Sequence, residues 1–215
     1  MSSKLQGKVV AITGGDQGIG RGVAERLARD GADVALCYRA NKAGADEVVA
    51  GIEAIGRKAT AIQCDVGKIS DGQRFIDEAA TQLGEIDILV NNAGLERHAD
   101  FWDVTEADYD AVLNINLKGV FFITQAFVRH RMAVKIGGKV INVSSVHEEL
   151  PFLHFHVVLC EQRRSEDDDT QPLDRTGAAR DHHQQYRPGS HRNAHQQETL
   201  ERPGEAQYFV NLNSA

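Results

Sequence analysis

The chain has 215 residues, of which 41% are hydrophobic, with a formal net charge of -7 and three cysteines. This length predicts one domain with a sizeable buried core, and the negative charge excludes a general attraction to nucleic acid or anionic membranes. Residues 1–8 show no secretory signal pattern. The sequence has no run of about 18 apolar residues, so we do not expect a membrane span. The odd number of cysteines, without a pairing pattern, favours a reduced, cytoplasmic setting.

Short apolar strands alternate with helix patterns along the first two thirds of the chain. We predict strands over residues 9–12, 34–38, 59–64, 86–90 and 140–143. We predict helices that begin near residue 19 and extend over 43–55, 69–83 and 106–131, the last with Thr105 as N-cap. This alternation is typical of an α/β fold, a Rossmann-type doubly wound parallel sheet with helices on both faces. Ligands bind such sheets outside the carboxyl ends of the strands.

The first strand ends in a glycine-rich loop, residues 13–20, with the sequence Thr-Gly-Gly-Asp-Gln-Gly-Ile-Gly. Glycines let the backbone turn tightly and approach a pyrophosphate, and a helix N-terminus offers free N–H groups and a positive dipole end. The spacing is Gly-x3-Gly-x-Gly, which differs from the G-x-G-x-x-G of other dinucleotide folds. The loop therefore predicts a phosphate cradle, and the alternative is a tight strand-to-helix turn without a ligand.

Polar and small residues follow the next three strands. Arg39 follows the second strand, where a dinucleotide fold contacts the adenosine ribose. It can pair with a 2′-phosphate there, and the alternative is an ordinary solvated charge. The negative charge of Asp16 in the loop weakly disfavours a 2′-phosphate. Asp65 can accept a hydrogen bond from an adenine amino group, or it forms a helix cap or loop turn. Residues 91–94, Asn-Asn-Ala-Gly, allow close approach of a cofactor.

Two further positions carry polar side chains near the expected nicotinamide end. Asn116 lies inside the long predicted helix, where Asn is unfavourable, so it marks a polar network or a functional site. Ser144 and Ser145 end the fifth strand and either face the nicotinamide or cap a helix.

Five segments together resemble the short-chain dehydrogenase/reductase family over about residues 5–155. These segments are the loop 13–20, Asp65-Val66, Asn91-Asn92-Ala93-Gly94, Asn116-Leu117-Lys118-Gly119 and Val143-Ser144-Ser145. Residues 94–96 and 144–149 are most similar to glucose 1-dehydrogenases. The resemblance implies an NAD(P)-dependent oxidoreductase that transfers hydride between nicotinamide and an alcohol or sugar, assembled as a homodimer or homotetramer.

The expected cofactor is NAD or NADP, and the residues predicted to bind it are Gly14, Gln17, Gly18, Ile19, Gly20, Arg39, Asp65, Val66, Asn92, Ala93 and Gly94. The resemblance implies that Ser145 hydrogen-bonds the substrate oxygen and that Asn116 anchors a water in a proton relay. In the family, the acid/base is a Tyr about 13 residues after this Ser, with a Lys four residues further on that lowers the pKa of the Tyr.

The family pattern stops after about residue 155. The positions of the family Tyr and Lys hold Val158 and Gln162, and Tyr-x3-Lys occurs nowhere after Ser145. Residues 156–215 contain seven Arg and no Lys, against eight Lys in residues 1–155. We therefore predict a Rossmann domain over 1–155 and a non-family, irregular tail over 156–215, with the C-terminal part of the sheet missing or irregular. The tail histidines fit no zinc-ligand spacing, so no metal site is predicted; they include His182, His183, His191 and His195.

Codon degeneracy favours a shift of reading frame at residue 156. After removal of the first base, the codons of residues 156–164 permit Thr-Ser-Tyr-Cys-Ala-Ser-Lys-Gly-Gly, which contains the family Tyr-x3-Lys at its required distance from Ser145. In the same frame, residues 181–189 permit Ile-Thr-Ile-Asn-Asn-Ile-Ala-Pro-Gly, similar to the family's next strand and Pro-Gly turn. Two hypotheses follow: an oxidoreductase of the family, or a catalytically inactive frame-shifted product with a partial dinucleotide-binding fold.

Overall fold

A computed structural model describes residues 4–145 and 209–211. Its six strands form one parallel sheet in the order β3-β2-β1-β4-β5-β6. The strands are β1 Val9–Thr13, β2 Asp33–Tyr38, β3 Ala59–Gln63, β4 Ile88–Asn91, β5 Lys139–Asn142 and β6 Phe209–Asn211. The helices are α1 Gly18–Arg29, α2 Lys42–Ala54, α3 Ile69–Leu83, α4 Glu106–Leu113 and α5 Val120–Ala133, with a 3₁₀ turn at Phe101–Asp103.

Helices cover both faces of the sheet, which explains why its central strands are continuous apolar runs. On one face, Ala24 of α1, Ile52 of α2 and Ile12 of β1 belong to one buried cluster. On the other face, Phe75 of α3 and Phe127 of α5 belong to a second buried cluster with strand residues of β1, β2, β4 and β5. The predicted doubly wound α/β architecture is therefore confirmed.

The predicted helix over 106–131 is continuous, but it is not α-helical throughout. Thr105 caps it as predicted, since its Oγ1 accepts a hydrogen bond from the backbone N–H of Asp108 at 3.1 Å. Between α4 and α5, Asn114–Gly119 forms a π-helical turn. Such turns are frequent at functional sites, and a widening of this kind leaves no signal in the spacing of apolar residues.

The helical segment Glu106–Ala133 is also long and apolar enough, by length and composition alone, to cross a membrane. Ile123, Ala126 and Phe127 on this segment are at most 3% exposed and pack in the core beside the sheet. We therefore interpret its apolar composition as that of a core helix.

The observed strands depart most from the expected ones at β4 and β6. The fourth strand was expected over 86–90, but β4 is Ile88–Asn91. Just before it, the backbone N–H of Asp87 donates to the Val9 carbonyl at 2.8 Å, and the Asp87 carboxylate accepts a hydrogen bond from Val9 N. The sheet does not end at β5, since the backbone of Phe209–Asn211 pairs with it in parallel. An uncovered strand edge presents unpaired N–H and C=O groups that an extended segment can satisfy.

A buried arginine network ties the amino ends of β1 and β4 to α5. The Arg131 side chain is 1% exposed; its Nε donates to the Gly137 carbonyl at 3.0 Å and its Nη2 lies 3.8 Å from Oδ1 of Asp87. The same carboxylate accepts hydrogen bonds from Lys8 Nζ and Val9 N, both at 3.0 Å. Asp87 is therefore the counter-charge of a guanidinium that has little access to water.

We expect Asp87→Ala to lower the free energy of unfolding by about 2–4 kcal/mol, because it leaves a buried cation and a backbone donor without their acceptor. Asp46→Ala is the matched control, since it removes an exposed ion pair with Lys42 and should cost less than about 1 kcal/mol. Chemical denaturation of the full chain measures both values. Equal losses for the two variants would contradict the interpretation of Asp87.

Candidate functional site

A cleft of about 420 Å³ opens at the carboxyl ends of the central strands. β1 lies between β2 and β4 in the sheet, so the order of strands reverses beside it. Open α/β sheets bind ligands at this switch point. All eleven residues predicted to bind a cofactor line the cleft: Gly14, Gln17, Gly18, Ile19, Gly20, Arg39, Asp65, Val66, Asn92, Ala93 and Gly94.

The glycine-rich loop packs closely against the end of β4. Nδ2 of Asn92 donates hydrogen bonds to the carbonyls of Thr13 and Gly14, both at 3.0 Å. Gly14 has a φ of +64°, and a Cβ built on Gly20 would lie only 2.0 Å from the Gly14 carbonyl oxygen and 2.4 Å from Nδ2 of Asn92. Glycine at these two positions therefore lets the loop pack directly against the start of α1 and the end of β4.

The start of α1 completes this surface. The residue before the helix, Gln17, makes no side-chain capping hydrogen bond, so it leaves the first N–H groups of the helix to other acceptors. Ile19 follows with 69% of its side chain exposed in the same cleft. Free N–H donors beside an exposed apolar side chain fit the pyrophosphate and the flat rings of a dinucleotide.

Asp65 forms the loop turn that was one of its two predicted roles, since its Oδ1 accepts a hydrogen bond from Gly67 N at 3.1 Å. Its Oδ2 lies 4.0 Å from Nζ of the exposed Lys68. The residue also lines the cleft, and its hydrogen bond with adenine stays a prediction. Arg39 is exposed and lines the cleft as well, so a phosphate ligand and a solvated charge both remain open for it.

Several residues of the cleft were missed by the sequence analysis as cofactor contacts. They are Cys37, Tyr38, Ala40, Asn41, Cys64, Leu95 and Ile115. Most flank the ends of β2, β3 and β4, which was the one signal that could have found them. Cys37 and Cys64 are free and buried. The pKa of the Cys37 thiol is raised well above its usual value, first by a hydrogen bond with Cys64 and second by burial. A neutral, buried thiol is a wall of the cleft and not a nucleophile.

Asn116 lies in the π-helical turn and holds the segment after β4. Its Nδ2 donates to the Leu95 carbonyl at 3.0 Å, and its Oδ1 accepts from Leu95 N at 2.8 Å. A polar network was one of the two interpretations left open for Asn116, and this pair of hydrogen bonds is such a network. Because Leu95 lines the cleft, Asn116 shapes the site through the backbone it holds.

Ser145 is described but is not among the residues that line the cleft. It lies three residues after β5, whose Asn142 accepts a hydrogen bond from Nδ2 of Asn91 in β4 at 2.9 Å. The positions of the family Tyr and Lys, Val158 and Gln162, lie outside the described residues. So do the four tail histidines considered as metal ligands, and residues 4–145 contain no group of three potential ligands placed to hold a metal ion.

Comparison with known proteins places this cleft in a family. A family profile described as short chain dehydrogenase matches residues 8–157. A 2-dehydro-3-deoxy-D-gluconate 5-dehydrogenase of Escherichia coli K12 is 41% identical over 142 residues, which cover 66% of this chain and 55% of the relative. An uncharacterised oxidoreductase of Methylorubrum extorquens is 44% identical over 144 residues, 67% of this chain and 57% of its own length. The chain thus spans little more than half the length of these curated relatives.

Solved structures agree. A short chain dehydrogenase from Burkholderia cenocepacia J2315, crystallised in complex with NADP, is 40% identical with a TM-score of 0.70, over 74% of this chain and 64% of that one. A dehydrogenase/reductase from Sinorhizobium meliloti 1021 is 35% identical with a TM-score of 0.72, over 77% and 65% of the two chains. On its sequence, its sheet and its cleft, the chain belongs to the short-chain dehydrogenase family.

Proposed function

We propose that the chain descends from an NAD(P)-dependent oxidoreductase that transfers hydride between nicotinamide and an alcohol or carbonyl substrate. The observation that carries this proposal is the convergence of all eleven predicted cofactor residues on one cleft at the switch point of the sheet. When bound, the dinucleotide supplies the donor or acceptor of hydride.

The residues present fit a dinucleotide from end to end. The loop 14–20 would hold the pyrophosphate through its backbone and the start of α1, because the missing side chain at Gly20 lets the start of α1 pack directly against the Gly14 carbonyl. Asp65 and Val66 would contact adenine, and Asn92 would lie on the nicotinamide ribose side. Ser145 would hydrogen-bond the substrate oxygen.

The proposed substrate is a small alcohol or a sugar. The local similarity of residues 94–96 and 144–149 to glucose 1-dehydrogenases supports a sugar as one candidate. The Escherichia coli relative, by its name, acts on 2-dehydro-3-deoxy-D-gluconate, a sugar acid. A panel of glucose, sugar acids and simple alcohols therefore tests the proposal more fairly than glucose alone.

A second candidate is a frame-shifted product that binds a dinucleotide without transferring hydride. Val158 and Gln162 stand where the family places its acid/base Tyr and the Lys that tunes it, and the family match ends at residue 157. We propose that residues 1–155 form the Rossmann domain and that 156–215 encode a non-family tail. We also propose a cytoplasmic location, which the free, buried Cys37 and Cys64 support. Assembly as a homodimer or homotetramer is proposed from the resemblance to the family.

Both candidate functions require the chain to bind a dinucleotide, so a binding experiment tests them together. NADH or NADPH added to the full chain at 100 times its dissociation constant should stabilise the folded state by about 2.7 kcal/mol, because a ligand that binds only the folded state shifts unfolding by mass action. Thermal unfolding with and without the dinucleotide measures the shift, and nicotinamide mononucleotide, which lacks the adenosine half, is the control. An unchanged, cooperative melt at millimolar NADH and NADPH would contradict the proposal.

A further inference from the structure

Two cysteines from neighbouring strands lie side by side in the wall of the cleft. Cys37 belongs to β2 and Cys64 directly follows β3, and they are 1% and 2% exposed. The strands pair in parallel with Cys37 opposite Ile62, and Cys64 N donates a hydrogen bond to the Tyr38 carbonyl at 2.9 Å. Because alternate residues of a strand point to the same face of the sheet, Cys64 is brought to the side on which Cys37 and Ile62 lie, and all three belong to one buried cluster.

The two thiols are in contact, and a small molecule in the cleft can reach them. Cys37 makes a side-chain hydrogen bond with Cys64, and both residues line the cleft. Two sulfurs are too few ligands for a structural zinc ion, which takes four. A single buried thiol is inert, but the second sulfur of a pair can trap a sulfenic acid that forms on the first. Two-electron oxidation is therefore the chemistry open to this pair.

We infer that Cys37 and Cys64 are a redox-sensitive modification site, at which a hydroperoxide forms a disulfide that weakens dinucleotide binding and a dithiol reverses the change. The inference rests on the proposed dinucleotide site and gives that site a form of regulation. Disulfides of proteins in a reducing compartment are usually transient and redox-sensing, which fits two free cysteines beside a cofactor cleft.

The hydroperoxide balances the oxidation. Because Cys37 retains its proton in the hydrogen bond, Cys64 attacks as the thiolate and bonds to the terminal peroxide oxygen. The O–O bond breaks, and the leaving oxygen takes up the proton that Cys64 lost, which gives an alcohol, or water from hydrogen peroxide. Cys37 by itself is no nucleophile, but the hydroxide that leaves the Cys64 sulfenic acid is a base in contact with its proton. Water leaves as the S–S bond forms, so two thiols lose the two electrons that the peroxide gains.

Formation of this disulfide must move the wall of the cleft. Cys37 is aligned with Ile62, so Cys64 lies two positions further along the chain than the residue opposite Cys37. A disulfide requires Cα atoms within about 7 Å of each other, so the segment that follows β3 must shift toward β2. Asp65 and Val66, which we expect to contact adenine, belong to that segment and line the cleft. Their displacement therefore weakens the adenine end of the site.

The test uses the full chain with Cys160→Ser, in which Cys37 and Cys64 are the remaining cysteines. Hydrogen peroxide should join them, and mass spectrometry of tryptic peptides shows the cross-link, because trypsin cleaves between the two, for example after Arg57. After removal of the peroxide, NADH and NADPH should bind at least about tenfold more weakly than to the reduced chain, the order of one lost hydrogen bond. Dithiothreitol should restore the affinity. Cys64→Ser in the same background should form no cross-link, and peroxide should not change its affinity.

A folded chain in which peroxide leaves both thiols free, or oxidises each separately to a sulfinic acid, overturns the inference. A cross-linked chain that binds the dinucleotides as tightly as the reduced chain overturns it as well. Circular dichroism melts show whether Cys64→Ser folds, and if it does not, Cys37→Ser takes its place. A chain that forms the cross-link but binds neither dinucleotide when reduced contradicts the proposed function and the control of binding with it, whereas the cross-link itself stays established.

Discussion

Gly20→Ala is expected to abolish dinucleotide binding and to lower the free energy of unfolding by about 2–4 kcal/mol. The added Cβ would lie 2.0 Å from the Gly14 carbonyl oxygen and 2.4 Å from Nδ2 of Asn92. One of these atoms is backbone, and the other donates hydrogen bonds to the Thr13 and Gly14 carbonyls, so neither can move without breaking the loop. The start of α1 must shift instead, which separates the N–H groups that we propose to bind phosphate from the rest of the cleft.

Gly22→Ala is the matched control, two residues further along the same helix. A Cβ at Gly22 meets no atom within 4 Å, and alanine is the better helix former, so this variant should gain about 0.5–1 kcal/mol and bind as the wild-type chain does. Chemical denaturation and NADH titration of both variants measure the two effects. Similar binding by the two alanine variants would mean that the close contact around Gly20 does not form the binding surface.

Removal of one base at codon 156 is expected to raise oxidoreductase turnover by at least about 10²-fold, the lower end of what a positioned acid/base contributes. The change replaces Val158 by Tyr and Gln162 by Lys if the codons regroup as their degeneracy permits. A Lys near a Tyr favours the phenolate electrostatically, so the restored pair would supply a base near neutral pH. Ser145 and the residues that line the cleft precede the change and are identical in both proteins.

Turnover is measured as the change in absorbance of the nicotinamide cofactor with each substrate of the panel of glucose, sugar acids and simple alcohols. A frame-restored protein in which the tyrosine at position 158 is replaced by phenylalanine is the control, and it should lose the gained turnover while it still binds NADH. Reading the gene across codon 156 is the direct check, because codons that cannot regroup to Tyr-x3-Lys refute the frame shift. If the chain with Val158 and Gln162 turns over substrate as fast as the frame-restored protein, the hypothesis of an inactive product is refuted.

Local patterns in the sequence were enough to predict most of the fold. Apolar runs that end in glycine or small polar residues indicate buried parallel strands, and their alternation with helix patterns allows few topologies. Because ligands bind at the carboxyl ends of such strands, the residues after each strand could be named before their positions were known. Those eleven residues now line one cleft.

The parts that could not be predicted depend on packing between distant segments. The π-helical turn at Asn114–Gly119 has the same apolar spacing as an α-helix, and the hydrogen bonds between Asn116 and Leu95 join residues 21 positions apart. The buried network of Arg131 and Asp87 joins α5 to the amino ends of β1 and β4, which carry no motif. Neither arrangement has a signature in the order of residues along the chain.

The amino-acid sequence alone determined the family, the α/β class with its doubly wound sheet and the glycine loop, because these follow from residue types at short spacing. Only the tertiary structure decided which distant segments meet in the cleft. The hydrogen bonds from Asn92 to the Thr13 and Gly14 carbonyls, and those between Asn116 and Leu95, join residues at least 21 positions apart. Such contacts depend on how the strands and helices pack, which residue types at short spacing do not specify.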